Sequence, residues 1–482
     1  MSKLENLKPA KVFHFFEEIC AIPHGSRNTK AISDYLVSFA KEHELEYYQD
    51  DANNIVMIQK ASEGYENADP LIIQGHMDMV CEKENNVDID FEKDGLDLYV
   101  DGDFLKARGT TLGGDDGIAV AYALAILDSP EISHPRLEVV ITVDEEIGML
   151  GAEVIDLSML KGKKMLNIDS DVEGHFLTSC AGGMTAESKI PVSYMEQSGQ
   201  AFELTLTGLV GGHSGSEIDK ERASAVVLSG RVLKYLADRV TLGVSTLAGG
   251  LKDNAIPREV KMSVLVPVEE VAAFEETVAE ITGILQKEYQ NTDNGLVLEK
   301  EALGEKTVSI LDYASLTRVL FYLRNMPNGV QHMSTVMPGL VETSLNAGIM
   351  VLGTEEFSVT HSIRSSVSSR KEDLYHKLTD LTEFLGGEME ASGDYPAWEY
   401  KAESSLRELM SDVYRELYKE EPVFEAIHAG LECGILSGKI ADLDCISFGP
   451  DNFDIHTPQE RLSISSTERV WNLLVTFLER AK

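Results

Sequence analysis

Four short apolar runs in this chain are each followed by an acidic residue or a histidine. The runs are Leu71–Gln74, Leu137–Val143, Met165–Ile168 and Cys445–Phe448, and the residues that follow them include His76, Asp144–Glu146, Asp169 and His456. Such runs, bounded by charged or turn-forming residues, are typical of buried strands. Ligands of open α/β sheets bind beyond the carboxyl ends of the strands, so the pattern predicts that these side chains converge there.

A fifth segment, Leu112-Gly-Gly-Asp115-Asp116-Gly117, forms a glycine-rich turn before the apolar helix predicted over Ile118–Leu127. Taken singly, each motif has an ordinary structural explanation. A His-x-Asp is commonly a surface pair, an Asp-Glu-Glu a solvated charge run, and a Gly-Asp-Asp-Gly a turn. The same arrangement recurs at five segments, and this recurrence favours a functional site.

The donor atoms of these side chains suit a pair of metal ions. His76 and His456, with Asp115, Glu146 and Asp169, supply nitrogen and oxygen ligands that fit zinc, with manganese or cobalt as substitutes. A carboxylate can bridge two ions about 3.5–4 Å apart, and Asp115, on a glycine-flanked turn, is the predicted bridge. His76 and Asp169 would complete one ion, and Glu146 and His456 the other. Three carboxylates and one hydroxide would balance two divalent charges.

Two further acids have predicted roles beside the metal ligands. Glu145 directly precedes Glu146, so it can stand next to the attacking water as general base. Asp78, two residues after His76, suits a carboxylate that accepts the imidazole N–H and orients the ring. A helix N-cap is the alternative role for Asp78.

The element pattern predicts two domains. Helices and buried strands alternate over residues 1–185 and return over 395–482, where the short tail is expected to complete the first sheet. Residues 186–394 read as an inserted domain of two comparable α/β halves. The predicted fold class is α/β, a catalytic domain with a mixed, largely parallel sheet interrupted by an inserted α+β lid domain.

Composition narrows the classes of partner. The formal net charge of −39 argues against nucleic acid and against an anionic membrane surface, although acidity by itself also serves solubility. No run approaches the roughly 20 apolar residues that span a bilayer, and the N-terminal segment has no secretory apolar core. Five scattered cysteines suggest neither a disulfide framework nor a Cys-x-x-Cys zinc site. These features predict a cytoplasmic protein.

The motifs resemble those of the dinuclear zinc exopeptidases, the family of carnosinase, aminoacylase and peptidase T. The likeness rests on Gly75–Met79, Leu112–Gly117, Asp144–Gly148, Asn167–Asp169 and Ile455–Pro458, and it extends over essentially the whole chain. It is closest to the branch that cleaves aminoacyl-histidine dipeptides. It implies a zinc-exopeptidase-like catalytic domain, two zinc ions per subunit, hydrolysis of unblocked dipeptides including Xaa-His, and a homodimer.

The resemblance also implies substrate contacts from the inserted domain. His213, in Gly-Gly-His-Ser-Gly, matches the histidine that stabilises the oxyanion, and Asn254 matches a substrate-contacting asparagine. Arg364 is placed to hold the substrate's C-terminal carboxylate, and Gly430 lies in a segment near the substrate. The ordinary roles are a helix-start residue for His213, a turn former for Asn254 and a surface ion pair for Arg364. Smaller members of the family have a single-unit lid that dimerises, and the second half of this lid can imitate such a partner subunit. His213 therefore acts either in its own subunit or across a dimer.

Three other functions compete with a dipeptidase. A serine hydrolase is disfavoured, because Gly212–Ser216 lacks the last glycine of a nucleophile elbow. An N-acyl amino acid deacylase of the same architecture would accept blocked amines and reject free dipeptides. A non-catalytic metal-binding or interaction homologue would be expected to lose Glu145 or a ligand, and none is missing.

Overall fold

The computed structural model describes residues 3–482 and divides the chain into two compact units. The first unit comprises the chain up to Cys180, Tyr400–Ala426 and Leu431–Lys482, and the second comprises Ala181–Glu399 with Ile427–Gly430. The inserted domain, predicted over 186–394, therefore begins earlier and ends later. Its first strand already pairs at Gly182 with Ser365. The return of Ile427–Gly430 to this unit was not predicted; the Ala181 N–H donates to the carbonyls of Ile427 and Ala429 there.

The helices are α1 Ala10–Cys20, α2 Lys30–Glu42, α3 Gly114–Leu127, α4 Leu150–Val154, α5 Ala225–Ala237, α6 Val271–Glu288, α7 Tyr313–Asn325, α8 Ser368–Phe384, α9 Ser405–Tyr418, α10 Glu432–Lys439 and α11 Ile464–Arg480. Short 3₁₀ turns lie at Ile218–Lys220 and Val268–Glu270. No helix among residues 3–482 has the length and apolar character needed to cross a bilayer.

The strands of the first half of the chain are β1 Glu46–Gln49, β2 Ile55–Gln59, β3 Leu71–His76, β4 Leu98–Asp101, β5 Phe104–Ala107, β6 Leu137–Thr142, β7 Lys164–Asn167, β8 His175–Cys180, β9 Gly182–Pro191, β10 Tyr194–Thr207 and β11 Gly212–His213. The remaining strands are β12 Gly243–Gly249, β13 Ala255–Ile256, β14 Val260–Val266, β15 Val297–Leu311, β16 Gly329–Met333, β17 Val341–Leu352, β18 Glu356–Ser365, β19 Glu388–Tyr395, β20 Val423–Ile427, β21 Asp444–Ser447, β22 Asn452–Phe453 and β23 Arg461–Ser463.

An eight-stranded mixed sheet forms the centre of the first unit, in the order β1-β2-β6-β3-β7-β21-β8-β20. Strands β6, β3, β7 and β21 run parallel, and the pairs β1/β2, β2/β6 and β21/β8 are antiparallel. The predicted α/β class with a mixed sheet is confirmed, and its parallel pairs lie in the middle. All four apolar runs lie in these parallel strands, so their carboxyl ends face the same way.

Helix α3 packs in the core of the first unit and is buried on nearly all sides from Ile118 to Leu127. It contacts α1 and β3, and the Tyr122 hydroxyl donates to the Thr467 carbonyl of α11. The helix therefore holds the glycine-rich turn at its N-terminus in a fixed place. A small sheet of β22, β23, β5 and β4, which the sequence did not predict, lies in the same unit.

The second unit is built on one antiparallel sheet in the order β15-β10-β14-β12-β17-β18-β9-β19. Its two halves meet where β12 pairs with β17, at Ala248 with Val351 and Gly249 with Met350. Strand β9, which opens the unit, pairs with β18 and β19 in the half that the later chain builds. The two halves are therefore not two successive segments of chain, as the predicted recurrence implied.

Candidate active site

His76 ends strand β3 and is 1% exposed. Its Nδ1 donates to the carbonyl of Asp78 at 2.9 Å, whereas the Asp78 carboxylate Oδ1 lies 3.5 Å away. This contact fixes the orientation of the ring. It leaves the lone pair of Nε2 for a metal ion. The Asp78 carboxylate accepts from the Ser26 hydroxyl at 2.8 Å and from the Glu145 N–H at 3.1 Å. The next element after β3 is strand β4, so Asp78 does not cap a helix.

Asp115 stands between the two predicted histidine ligands. Its Oδ1 lies 3.2 Å from His76 Nε2, and its Oδ2 lies 3.1 Å from His456 Nε2. One carboxylate thus offers a different oxygen to each imidazole, although the histidines are far apart in the sequence. This is the arrangement expected of a carboxylate that bridges two ions.

The other predicted ligands lie around the same carboxylate. His456 Nε2 is 3.0 Å from Glu146 Oε2, and His76 Nε2 is 3.9 Å from Asp169 Oδ1. Glu145, the predicted base, has Oε2 4.0 Å from His76 Nε2. The second carboxylate oxygen of Glu146, Oε1, is buried without a hydrogen-bond partner. The structure therefore brings all five predicted ligands and the predicted base together in one unit.

Asp116 also belongs to this cluster, although the sequence analysis did not predict it as a ligand. Its carboxylate accepts the backbone N–H of His76 at 3.2 Å, and with His76 and Asp169 it forms one set of donor atoms within 4.8 Å of one another. A second such set is Asp115, Glu146 and His456. The doubled aspartate in Gly-Asp-Asp-Gly was the available signal for Asp116.

Negative charge is concentrated and buried at this cluster. Burial, together with the charge of Asp116, holds the pKa of Asp169 well above its usual range. Burial raises the pKa of Glu145 to about 8, and the neighbouring carboxylates Glu432, Glu146 and Asp115 add to the effect. Buried carboxylates of this kind need nearby cations to stay ionised.

The histidines compensate this charge only in part. Burial tends to raise the pKa of Asp115, but hydrogen bonds with His456 and His76 outweigh it and the pKa lies below its usual range. The same contacts with Asp115 and Glu146 raise the pKa of His456 to about 10. With two nitrogens, several carboxylates and an unpartnered buried oxygen on Glu146, the donor set fits two divalent metal ions.

Glu460 holds the turn that carries Asp115. Its carboxylate accepts the backbone N–H groups of Leu112 at 2.7 Å, Gly113 at 3.0 Å and Gly114 at 2.8 Å. Gly113 has φ 68°, a conformation that glycine adopts without strain, and a Cβ at Gly114 would lie 2.9 Å from Asn452. No sequence motif marked Glu460.

Glu432 connects the strands that carry the ligands through hydrogen bonds. Its Oε2 accepts from Gln74 of β3 at 2.5 Å and from the Thr142 hydroxyl of β6 at 2.6 Å, and Gln74 in turn accepts from Asn167 of β7 at 2.6 Å. These three residues lie just before the strand ends that carry His76, Glu145 and Glu146, and Asp169. The network therefore fixes the spacing of the strands that deliver the ligands.

The four predicted substrate residues lie in the second unit. His213 in β11 pairs with Ala255 of β13, and the N–H of Ser214 donates to the Asn254 carbonyl at 2.9 Å, so these two segments adjoin. The Nδ1 of His213 accepts from the N–H groups of Gly215 at 3.2 Å and Ser216 at 3.1 Å. Its proton therefore resides on Nε2, which is left as a donor.

Arg364 lies in β18, and Gly430 lies in the returning segment Ile427–Gly430. Burial lowers the pKa of His213, and the positive charge of Arg364 adds to the effect. The imidazole of His213 is consequently neutral near pH 7.

The sequence of the chain matches that of a known peptidase family. The model of Peptidase family M20/M25/M40 matches residues 72–480, which include His76 and His456. The chain belongs to this family. It is therefore a hydrolase that acts on peptide bonds, and the resemblance predicted from the motifs is confirmed.

Two relatives with known names match this chain over almost its full length. The chain is 35% identical over 481 residues to the cytosol non-specific dipeptidase of Escherichia coli strain K12, covering 99% of this chain and 99% of that one. It is 36% identical to the aminoacylhistidine dipeptidase of Vibrio alginolyticus, with a TM-score of 0.93 and coverage of 99% and 98% of the two chains.

The fold is shared more widely. Aminopeptidase PepT from Bacillus cereus ATCC 10987 has a TM-score of 0.57 at 14% identity, covering 98% of this chain and 99% of that one. At this identity the likeness shows the fold alone.

Proposed function

We propose that this protein is a cytoplasmic dipeptidase that hydrolyses unblocked dipeptides, including those ending in histidine. His76, Asp115, Glu146, Asp169 and His456 would hold two zinc ions, and Glu145 would serve as the general base. The observation that carries the proposal is Asp115, whose two carboxylate oxygens lie 3.2 and 3.1 Å from the Nε2 atoms of two different histidines.

The geometry supports separate roles for the two adjacent glutamates. Divalent metal ions bound at such a site lower the pKa of water toward about 7 and polarise the substrate carbonyl. Glu146 contacts His456, whereas Glu145 lies toward His76, with its backbone N–H held by the Asp78 carboxylate. Glu145 is thus free to take a proton from water and to deliver it to the leaving amine.

His213, Asn254, Arg364 and Gly430 are proposed to bind the rest of the substrate. The Nε2–H of His213 is an uncommitted donor suited to a developing oxyanion, because two backbone N–H groups occupy Nδ1. Arg364 would hold the terminal carboxylate and Asn254 would contact the peptide. Gly430 would approach the substrate through its backbone.

The named relatives favour dipeptides over blocked amino acids as substrates. Full-length relatives at 35% and 36% identity are a non-specific dipeptidase and an aminoacylhistidine dipeptidase. The guanidinium of Arg364, which forms no ion pair among residues 3–482, suits the free carboxylate that dipeptides and N-acyl amino acids share, so it supports carboxylate binding in either case. The sequence resemblance also implies a homodimer, which sedimentation would test.

The decisive experiment is a substrate panel on metal-stripped protein restored with zinc, manganese or cobalt. Free dipeptides, including Ala-His, are compared with N-acetyl amino acids. The proposal expects cleavage of the dipeptides, none without metal, and little cleavage of the acetylated compounds. Preferred cleavage of the acetylated amino acids would assign a deacylase instead, and cleavage after complete metal removal would refute the metal mechanism.

A further inference from the structure

A row of side chains crosses the sheet of the second unit at Arg364. The register pairs Arg364 of β18 with Ser344 of β17 on one side and with Gly183 of β9 on the other, and Gly183 pairs with Tyr395 of β19. Directly opposed residues of neighbouring strands share one face of a sheet. Ser344, Arg364 and Tyr395 therefore present their side chains together, and we call these three residues with Gly183 the arginine row.

Tyr395 reaches Arg364 across Gly183. A Cβ at Gly183 would lie 2.5 Å from the Tyr395 hydroxyl oxygen, so the ring lies over a position that only glycine leaves open. The Arg364 Nη1 donates to that hydroxyl at 3.1 Å. This contact limits the directions in which the guanidinium can point.

His428 completes the other end of the arginine row. Its Nε2 lies 2.7 Å from the Ser344 hydroxyl, and its side chain is largely buried at 6% exposure. The carbonyl of His428 would lie 2.6 Å from a Cβ at Gly215, so the segment also packs on the turn that follows His213. Burial and the charge of Arg364 lower the pKa of His428 to about 4, so the ring is neutral and carries one N–H.

Two buried nitrogens at this place have no partner among residues 3–482. They are Arg364 Nε and His428 Nδ1. The chain has 81 acidic residues, and the nearby Arg370 pairs with Glu342, yet no carboxylate of the described residues forms an ion pair with Arg364. Because unpartnered buried polar groups are costly, the Arg364 Nε–H and the N–H that His428 can carry on Nδ1 point to a ligand with two acceptor oxygens and one negative charge.

Resting on the proposed function, we infer that His428 is a specificity residue of this enzyme, whose Nδ1–H donates to the substrate's terminal carboxylate beside Arg364. This role places the proton on Nδ1, so at the 2.7 Å contact with Ser344 the hydroxyl donates and Nε2 accepts. Tyr395 is a positioning residue for Arg364. The pair of donors distinguishes peptides with a free carboxylate from amidated ones.

The test compares Ala-His with its C-terminal amide as kcat/KM ratios for the wild type, H428Q and H428N. The glutamine Nε2 can keep the contact with Ser344 but offers nothing at Nδ1, whereas the asparagine Nδ2 stands near Nδ1. Loss of one hydrogen bond to a charged group is worth about 10- to 100-fold, so H428Q should lower the acid-to-amide ratio by about that factor. H428N should retain most of the ratio, and the exposed His332 gives the matched control H332Q, which should leave it unchanged.

A binding measurement separates this inference from the proposed function. In protein labelled with ¹⁵N-histidine, the His428 ring signals are assigned by their loss in H428Q. They should shift on addition of L-histidine and stay in place with L-histidinamide. If neither peptide is cleaved but the carboxylate still shifts His428, the dipeptidase proposal fails and the carboxylate site stands. If dipeptides are cleaved and H428Q keeps the full acid-to-amide ratio, or H428N loses as much as H428Q, the inference is overturned.

Discussion

Replacement of Glu460 by glutamine tests whether a buried carboxylate builds the metal-binding turn. Glu460 accepts backbone N–H groups of Leu112, Gly113 and Gly114 at 2.7, 3.0 and 2.8 Å, and it is 2% exposed. Oε2 accepts from Leu112 and Gly113, and Oε1 accepts from Gly114 and, at 3.4 Å, from the Asp115 N–H, so a glutamine NH₂ group in either place loses two of these bonds. At about 1.5–3 kcal/mol for each hydrogen bond to a charged group, two lost bonds cost roughly 3–6 kcal/mol.

The net loss of stability is smaller than this, because glutamine brings no charge into the buried site. Burial disfavours the charged form there and raises the pKa of Glu460. We therefore expect a net loss of about 2–4 kcal/mol in the free energy of unfolding, measured by urea denaturation of the metal-free protein. Since this turn positions Asp115, the zinc affinity should also fall by about 10- to 100-fold.

The control is E468Q on the exposed Glu468 of α11, which should stay within about 0.5 kcal/mol of the wild type. An E460Q protein with unchanged stability and unchanged zinc affinity would refute the role of Glu460 in holding the turn.

Three other predictions concern Glu145, Arg364 and His361. E145Q should keep its zinc but lose about 10²–10⁴ in kcat; a variant with normal turnover would remove Glu145 from the role of base. R364A should reduce kcat/KM for free dipeptides far more than for their amides, and equal losses would argue against carboxylate capture. Burial lowers the pKa of His361 to about 3, so the unfolded chain binds a proton near pH 6.5 that the folded one excludes. Stability should be intact above pH 6.5 and fall by about 2 kcal/mol by pH 5, and H361Q should lack that part of the urea-measured loss.

Local patterns in the sequence were sufficient to place the strands that carry the ligands. Each run was short, apolar and ended by a charged residue, and buried parallel strands leave this mark without reference to the rest of the chain. His76 and Asp169 follow directly from such runs, and His456 follows the last of them. The glycines around Asp115 likewise indicate a tight turn from the local sequence alone.

The residues that hold the ligands in place left no comparable mark. Glu460 binds a turn almost 350 positions earlier in the chain, and Glu432 meets Gln74 and Thr142 only after the sheet has formed. Long-range hydrogen bonds of this kind have no period and no spacing. The position of β9 in the second sheet is equally non-local, because that strand is set by its partners β18 and β19.

Zinc-edge anomalous diffraction from crystals grown with zinc tests most directly whether Asp115 would bridge two metal ions. Two anomalous peaks, about 3.5–4 Å apart, are predicted on either side of the Asp115 carboxylate, one next to His76 and the other next to His456. A single peak, or two peaks that do not share Asp115, would contradict it.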